Sequence, residues 1–373
     1  MNILNSRREA PLTPKIALFL PSLNGGGAER VLINLSTAFA EKGIEVDLLV
    51  GNADGPFIHD VSNAVRLVDF KVKRIIATVL PLTRYLRNEQ PKALLSTMGH
   101  ANVVALISKY LAHASIPVVV REANTITVNT EHAGIKERLL SALVRRTYRF
   151  ADSIVVNSAG SGADLAKFLK LDRRRILTIP NPVSPTVLAK SARADVDHPW
   201  FREDQPPVIL GVGRLCPQKD FATLLRAFRL VRNKQIARLV ILGEGEERAS
   251  LSNLAHQLRI EDDVYMPGFV KNPFSFIRRS AVFVLSSRWE GSPNVLVEAL
   301  ALGAPVVSTD CRSGPAEILG KASPWLVSVG NAPKMASVIL ERLNSHSGID
   351  VDLTEYMLER VAERYLELMT KPR

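Results

Sequence analysis

Residues 282–303 read VFVLSSRWEGSPNVLVEALALG. The run before Ser286 is apolar, rich in β-branched residues and too short for a helix, so it reads as a buried strand. Ser292 can cap a following helix, and Pro293 suits a first helical position. A strand running through a short loop into a capped helix predicts a parallel α/β unit. Such a helix start aims free backbone N–H groups and a positive dipole end at the loop, which suits a phosphate. Glu290 lies in the loop. Glu298 lies about a turn and a half into the helix, where its carboxylate can accept two hydroxyl hydrogens, as from a ribose. Either glutamate alone can be a solvated surface charge. Strand, loop, acid, helix start and second acid in one run set them apart.

The same alternation extends in both directions. Ile16–Pro21, Val46–Val50, Ala93–Ser96, Pro117–Val120 and Ser153–Asn157 read as strands in the first half, with helical patterns such as Ala28–Lys42 and Gly134–Phe150 between them. Val208–Gly211, Leu239–Leu242, Val264–Tyr265, Val282–Ser286 and Pro305–Ser308 repeat the pattern. A chain of 373 residues is too long for one ordinary core. The expected division is a first α/β domain over residues 1–183, a proline-rich linker without clear periodicity over 184–207, and a second α/β domain over 208–350. A terminal helical segment, 351–373, is expected to return toward the first domain. Open α/β sheets bind ligands at the carboxyl ends of their strands, so two such sheets face a shared cleft.

A second candidate lies at the end of the Val208 strand, in residues 211–219, GVGRLCPQK. Arg214 offers a planar fork for phosphate oxygens and Lys219 a point charge. Read alone, this is equally a solvated turn with two cations. Cys216 stands where a dinucleotide fingerprint needs its third glycine, and the Gly-Lys-Ser/Thr of a phosphate-binding P-loop is absent.

Composition narrows the classes. Two cysteines, Cys216 and Cys311, are too few for a disulfide framework or a cysteine zinc site. No apolar run approaches the length of a membrane span, and none near the start resembles a signal peptide. No Asp-x-Asp follows an apolar strand, so a metal site is not expected. The net charge is +11, with 24 Lys+Arg against 15 Asp+Glu in residues 1–180 and 24 against 22 in the remainder. The basic half fits anionic lipid or an acidic substrate better than nucleic acid, because aromatics are scarce and no recognition signature appears. Lys71, Lys73, Arg74, Arg84 and Arg87 alternate with Val72, Ile75, Ile76, Val79, Leu80, Leu82 and Leu86, a basic amphipathic pattern suited to a membrane surface and interrupted by Pro81.

These residues together resemble the retaining glycosyltransferases of family 4, of the two-Rossmann GT-B architecture, in the branch that builds bacterial polysaccharide and lipopolysaccharide. Glu290 and Glu298 match the family's Glu-x7-Glu signature; Gly213-Arg214 with Lys219 match its diphosphate loop. Gly243–Glu247 and Pro267–Val270 resemble its intervening loops, Asn181-Pro-Val183 its interdomain segment, and Gly25-Gly26-Gly27-Ala-Glu-Arg30 its N-terminal glycine loop. The resemblance implies a nucleoside-diphosphate sugar donor, with uridine diphosphate the default and guanosine diphosphate behind it. The acceptor would be a lipid-linked or polysaccharide glycan, and no metal would be required. It implies that Arg214 and Lys219 hold the diphosphate with the N–H groups near Ser292, Pro293, Asn294 and Val295. Glu298 would hold the ribose, Glu290 the donor sugar, and Phe269 and Val270 the base. The Gly25–Gly27 loop would approach the phosphates from the other side. His100, after the Ala93 strand, is either a donor-sugar or acceptor ligand or a structural loop residue. Glu122, in Arg121-Glu-Ala-Asn124, either orients an acceptor hydroxyl or pairs with Arg121.

Overall fold

The structure, a computed structural model, describes residues 14–24, 26–123, 134–345 and 351–370. Gly25 and Asn124 lie outside them. Two wholly parallel sheets organise the described chain. The first contains β1 (Lys15–Ser22), β2 (Glu45–Asn52), β3 (Arg66–Asp69), β4 (Ala93–Thr97), β5 (Val118–Glu122), β6 (Ser153–Val156) and β7 (Ile176–Thr178). The second contains β8 (Val208–Val212), β9 (Arg238–Leu242), β10 (Val264–Gly268), β11 (Val282–Leu285), β12 (Val306–Thr309) and β13 (Leu326–Val327). Their orders are β3-β2-β1-β4-β5-β6-β7 and β10-β9-β8-β11-β12-β13. Both sheets reverse direction of winding once, at β1/β4 and at β8/β11. Ligands bind beyond the carboxyl ends of strands at such switch points. The segments that follow β1, β4, β8 and β11 carry Gly26 and Gly27, His100 in the first turn of the helix Gly99–Ala112, Arg214 with Lys219, and Glu290.

Both faces of each sheet are covered, which is why the strands read as near-continuous apolar runs. Ile16, Leu18 and Leu20 pack in one core of the first sheet, while Ala17 and Phe19 pack in the other. The second sheet divides in the same way, with Ile209 and Ile241 on one face and Leu210 and Val240 on the other.

Three readings from the sequence change. The short edge strands β3, β7 and β13 were not anticipated, since their two to four residues carry little pattern. Residues 184–207, read as a linker without clear periodicity, contain the helix Pro185–Ser191 with proline in its first turn. Leu188 and Ala192 are buried against Leu210 and Leu296 of the second domain. Within the terminal segment 351–373 the helix is Leu358–Thr370, and a 3-10 turn at Thr354–Tyr356 precedes it. Its Val361, Ala362, Tyr365 and Met369 are buried in one cluster with Leu18 and Leu95 of the first sheet and Phe39 of the helix Gly27–Glu41. Burial of this kind contributes roughly 1.5–3 kcal/mol per large side chain. The chain crosses back where Leu358 N–H donates to Val183 O at 2.9 Å.

Candidate active site

The loop after β11 is fixed from three sides. Ser286 Oγ donates to Lys219 O at 2.7 Å, Gln218 Nε2 to Trp289 O at 2.9 Å, and Thr309 Oγ1 to Ser287 O at 2.6 Å. The loop after β8 and the loop after β11 are thereby one unit, which sequence separation hid. Glu290 is buried, and its Oε1 accepts from Lys219 Nζ and from Ser287 Oγ, both at 2.6 Å. Lys219 has three protons to donate and gives one of them here, so it can grip a further anion. Its stem lies across Gly213, where a Cβ would come within 3.1–3.2 Å of it. Gly243 has φ +143°, and a Cβ there would sit 1.9 Å from Gly213 O. Only glycine permits that approach, which seats the loop after β9 against the loop after β8. Arg214 is exposed at the mouth.

The helix after this loop spans Asn294–Ala301. Pro293, not Ser292, occupies its cap position, and no side chain caps the helix. The proline cannot donate and Ser292 lies one residue too early to reach the first turn. Leu296 N–H turns back to Pro293 O at 3.0 Å, which leaves the Asn294 and Val295 N–H groups at the helix start without a capping side chain. Glu298 is part-buried four residues further on. Burial pushes its carboxyl up to about 7, and the Arg30 guanidinium pulls it partly back. Arg30 comes from the first domain, so its charge reaches Glu298 from the other half of the chain. Val270 is half-buried and Phe269 exposed, at the end of β10.

The first domain supplies the facing wall. Gly27 starts its helix opposite Asn294, whose Nδ2 lies 3.5 Å from Gly27 O. A Cβ on Gly291 would lie 2.6 Å from Ala123 O at the end of β5, so the two domains touch at the centre of the loop. Farther out, Glu317 accepts from Ala159 N–H and Gly160 N–H at 2.7 and 2.9 Å.

Glu122 does not pair with Arg121. Neighbours along a strand face opposite ways, and Glu122 Oε2 accepts instead from Tyr148 OH at 2.6 Å, which accepts from Asn102 Nδ2 at 2.8 Å. Burial pushes the Glu122 carboxyl up to about 7. Arg121 is 1% exposed and donates to Thr97 Oγ1 at 2.9 Å and to Asn181 Oδ1. His100 does not join Glu290 and Lys219. It lines a cavity of about 280 Å³ in the first domain with Asn24, Asn52, Asp54 and Lys73, and burial holds its imidazole below the ordinary value. Among the described residues no group of three His, Cys, Asp or Glu side chains is placed to hold a metal.

Sequence comparison fits this geometry. Residues 194–359 match the family "Glycosyl transferases group 1", and residues 25–187 match "Glycosyltransferase Family 4". The chain is a family 4 glycosyltransferase with the GT-B fold. An uncharacterized glycosyltransferase of Methanocaldococcus jannaschii is 29% identical over 254 residues, covering 66% of this chain and 62% of that one. The Campylobacter jejuni N-acetylgalactosamine-N,N'-diacetylbacillosaminyl-diphospho-undecaprenol 4-alpha-N-acetylgalactosaminyltransferase is 29% identical over 330 residues, covering 86% and 88%. Among solved structures, HepE of Anabaena in complex with UDP-glucose superposes with a TM-score of 0.72 at 18% identity, covering 95% of each chain.

The sequence placed Arg30 in the glycine loop, Asn181 in the interdomain segment and Arg121 beside Glu122, but did not connect them with Glu298 and Asn294. Arg30 closes a glycine loop and Asn181 sits between two prolines, which are weak local signals. Arg121 ends a buried strand in a full charge, and an unexplained charge in an apolar strand was the signal available.

Proposed function

We propose that this transferase moves a sugar from a nucleoside-diphosphate donor, with uridine preferred over guanosine, to a lipid-linked or polysaccharide acceptor, retaining configuration. The observation that carries the reading is the convergence of Lys219, Glu290 and an uncapped helix start, with Arg214 at the rim, at one sheet's switch point. Lys219, Arg214 and the helix N–H groups face the place where negative charge grows as the bond from the sugar's anomeric carbon to the diphosphate oxygen breaks. Electrostatic stabilisation there is the largest catalytic contribution. The acceptor oxygen forms its bond to the same carbon on the same face, and its proton passes to a diphosphate oxygen. Glu298 holds the ribose, Glu290 a donor-sugar hydroxyl, and the ends of β10 at Phe269–Val270 the base. Gly25–Gly27 close over the phosphates. In this reading residues 1–183 bind the acceptor, with His100 on its polar pocket, 208–350 bind the donor, 184–207 join the two, and 351–373 return to the first domain.

The relative from Campylobacter supports a lipid-linked acceptor, and HepE supports a uridine donor. A cytoplasmic, membrane-peripheral placement is supported by a surface feature of the first domain. Ile76 and Leu80 are 57% and 64% exposed beside Lys73, Arg74 and Arg84, all exposed. Leu82 and Leu86 from the same pattern are buried instead, and Pro81 is accommodated in the first turn of the helix Val79–Glu89, where no N–H is needed. No helix among the described residues is long and apolar enough to cross a membrane. Hydrolysis assays across UDP- and GDP-sugars test the donor: turnover of neither class would end the reading. Co-sedimentation with phosphatidylglycerol vesicles tests the membrane contact, with binding expected to fall for Ile76→Asp/Leu80→Asp and equal binding refuting it.

A further inference from the structure

Arg121 and the two asparagines beyond it form a chain in which each link dictates the direction of the next. A guanidinium only donates, whereas a carboxamide donates from nitrogen and accepts at oxygen. Arg121, nearly without exposure, gives one hydrogen bond to Thr97 Oγ1 and another to Asn181 Oδ1. With its oxygen held there, Asn181 must turn its nitrogen away. That Nδ2 donates to Asn294 Oδ1 at 2.5 Å. Asn294 is constrained in the same manner. Its oxygen faces Asn181, so its nitrogen faces the glycine loop.

The last link is loose. Asn294 Nδ2 lies 3.5 Å from Gly27 O, at the edge of hydrogen-bond range. A Cβ on Gly27 would lie 3.0 Å from that nitrogen, so the amide sits directly over the loop. Beside it are the first-turn N–H groups that no side chain caps. An amide whose orientation is enforced from a buried cation, yet whose own protons are barely engaged, is prepared for an anionic partner. The reverse orientation would turn an oxygen lone pair toward the phosphates.

We propose that the Asn294 side-chain amide donates to the donor diphosphate, and that Arg121 and Asn181 are positioning residues that keep its nitrogen outward. This rests on the nucleoside-diphosphate reading above and adds a side-chain ligand to the backbone groups at the helix start. It also makes the domain that supplies Arg121 part of donor recognition, since Arg121 and Thr97 belong to the first sheet and Asn294 to the second domain.

Asn181→Asp tests the relay. The carboxylate still accepts from Arg121 and keeps the size of the side chain, but it has nothing to donate to Asn294. The Asn294 amide should then rotate and offer its oxygen to the cleft. Calorimetric titration with UDP and with GDP should show affinity reduced about tenfold or more, the scale of a hydrogen bond to a charged group, with the melting temperature held. Asn294→Ala should lose about as much, and the double variant should bind no worse than either single one. A purely structural Asn181 would give losses that add and that track the melting temperature. If Asn181→Asp does not fold, the cycle of Asn181→Ala with Asn294→Ala is read in the same way. Wild-type affinity in the Asn181 variant, or additive losses, overturns the relay alone. A wild-type protein that binds neither nucleotide overturns the donor reading and this inference with it.

Discussion

Glu298 should make nucleotide binding depend on pH across neutrality, and Glu298→Gln should remove that dependence. Burial raises the carboxyl to about 7 against the opposing pull of Arg30. At about pH 6 roughly a tenth of the free protein therefore carries the ionised group, and at about pH 8 roughly nine tenths. A carboxylate accepts from both ribose hydroxyls, whereas the protonated acid keeps one oxygen as a donor. If only the ionised form holds the ribose, the affinity gains about tenfold between those values, or about 1.4 kcal/mol. The nucleotide's terminal phosphate titrates near 6 as well, so the useful quantity is the ratio of Kd between wild type and Glu298→Gln at each pH. Calorimetry with UDP, repeated in buffers of different ionisation enthalpy, gives both Kd and the protons released. Wild type should release about half a proton more than the variant near neutrality. Parallel pH curves for the two proteins, or equal proton release, would refute the assignment of Glu298 to the ribose.

Arg214→Ala should lower kcat about a hundredfold or more through loss of leaving-group stabilisation, with an unchanged melting temperature because the side chain is exposed; near-normal turnover would remove Arg214 from the diphosphate site. Lys219→Ala should lose turnover similarly and also about 1–3 kcal/mol of stability, since Glu290 is left buried without its cation; urea titration checks this. Glu122→Gln should gain stability over wild type by about 1–3 kcal/mol as pH rises from about 5 to about 8. The sign follows from a native carboxyl raised to about 7: its contribution is present while the group is protonated and lost on ionisation, which glutamine never undergoes. Equal denaturation midpoints at both pH values would contradict it. Met369→Ala should cost about 2–5 kcal/mol if the terminal helix is integral to the first core, as measured by thermal unfolding. Activity should survive EDTA, and strict metal dependence would contradict the proposed chemistry.

The legible part of the sequence was local. Strand type, helix type and their alternation followed from runs such as Ile16–Leu20 and Val282–Leu285, because a parallel sheet covered on both faces needs apolar residues at every strand position. The segments bearing Lys219, Glu290 and Glu298 were legible because each combines a strand end, a loop and a helix start within about fifteen residues. The helix within 184–207 was not legible because it is short and its apolar residues, Leu188 and Ala192, only make sense against the second core.

From its sequence alone, then, residues 282–303 determined an α/β unit with a phosphate-suited helix start and two glutamates in order. Only the tertiary structure decided that Pro293 takes the cap position in place of Ser292 and leaves the helix start open. It also decided that Lys219 meets Glu290, that the Arg30 charge acts on Glu298, and that Arg121 reaches Asn294 through Asn181. The reason is physical: propensity and periodicity report on neighbours a few residues apart. A buried charge, by contrast, is satisfied by whichever donor or acceptor the packed chain brings to it: Lys219 lies 71 residues from Glu290, and Asn181 lies 60 from Arg121.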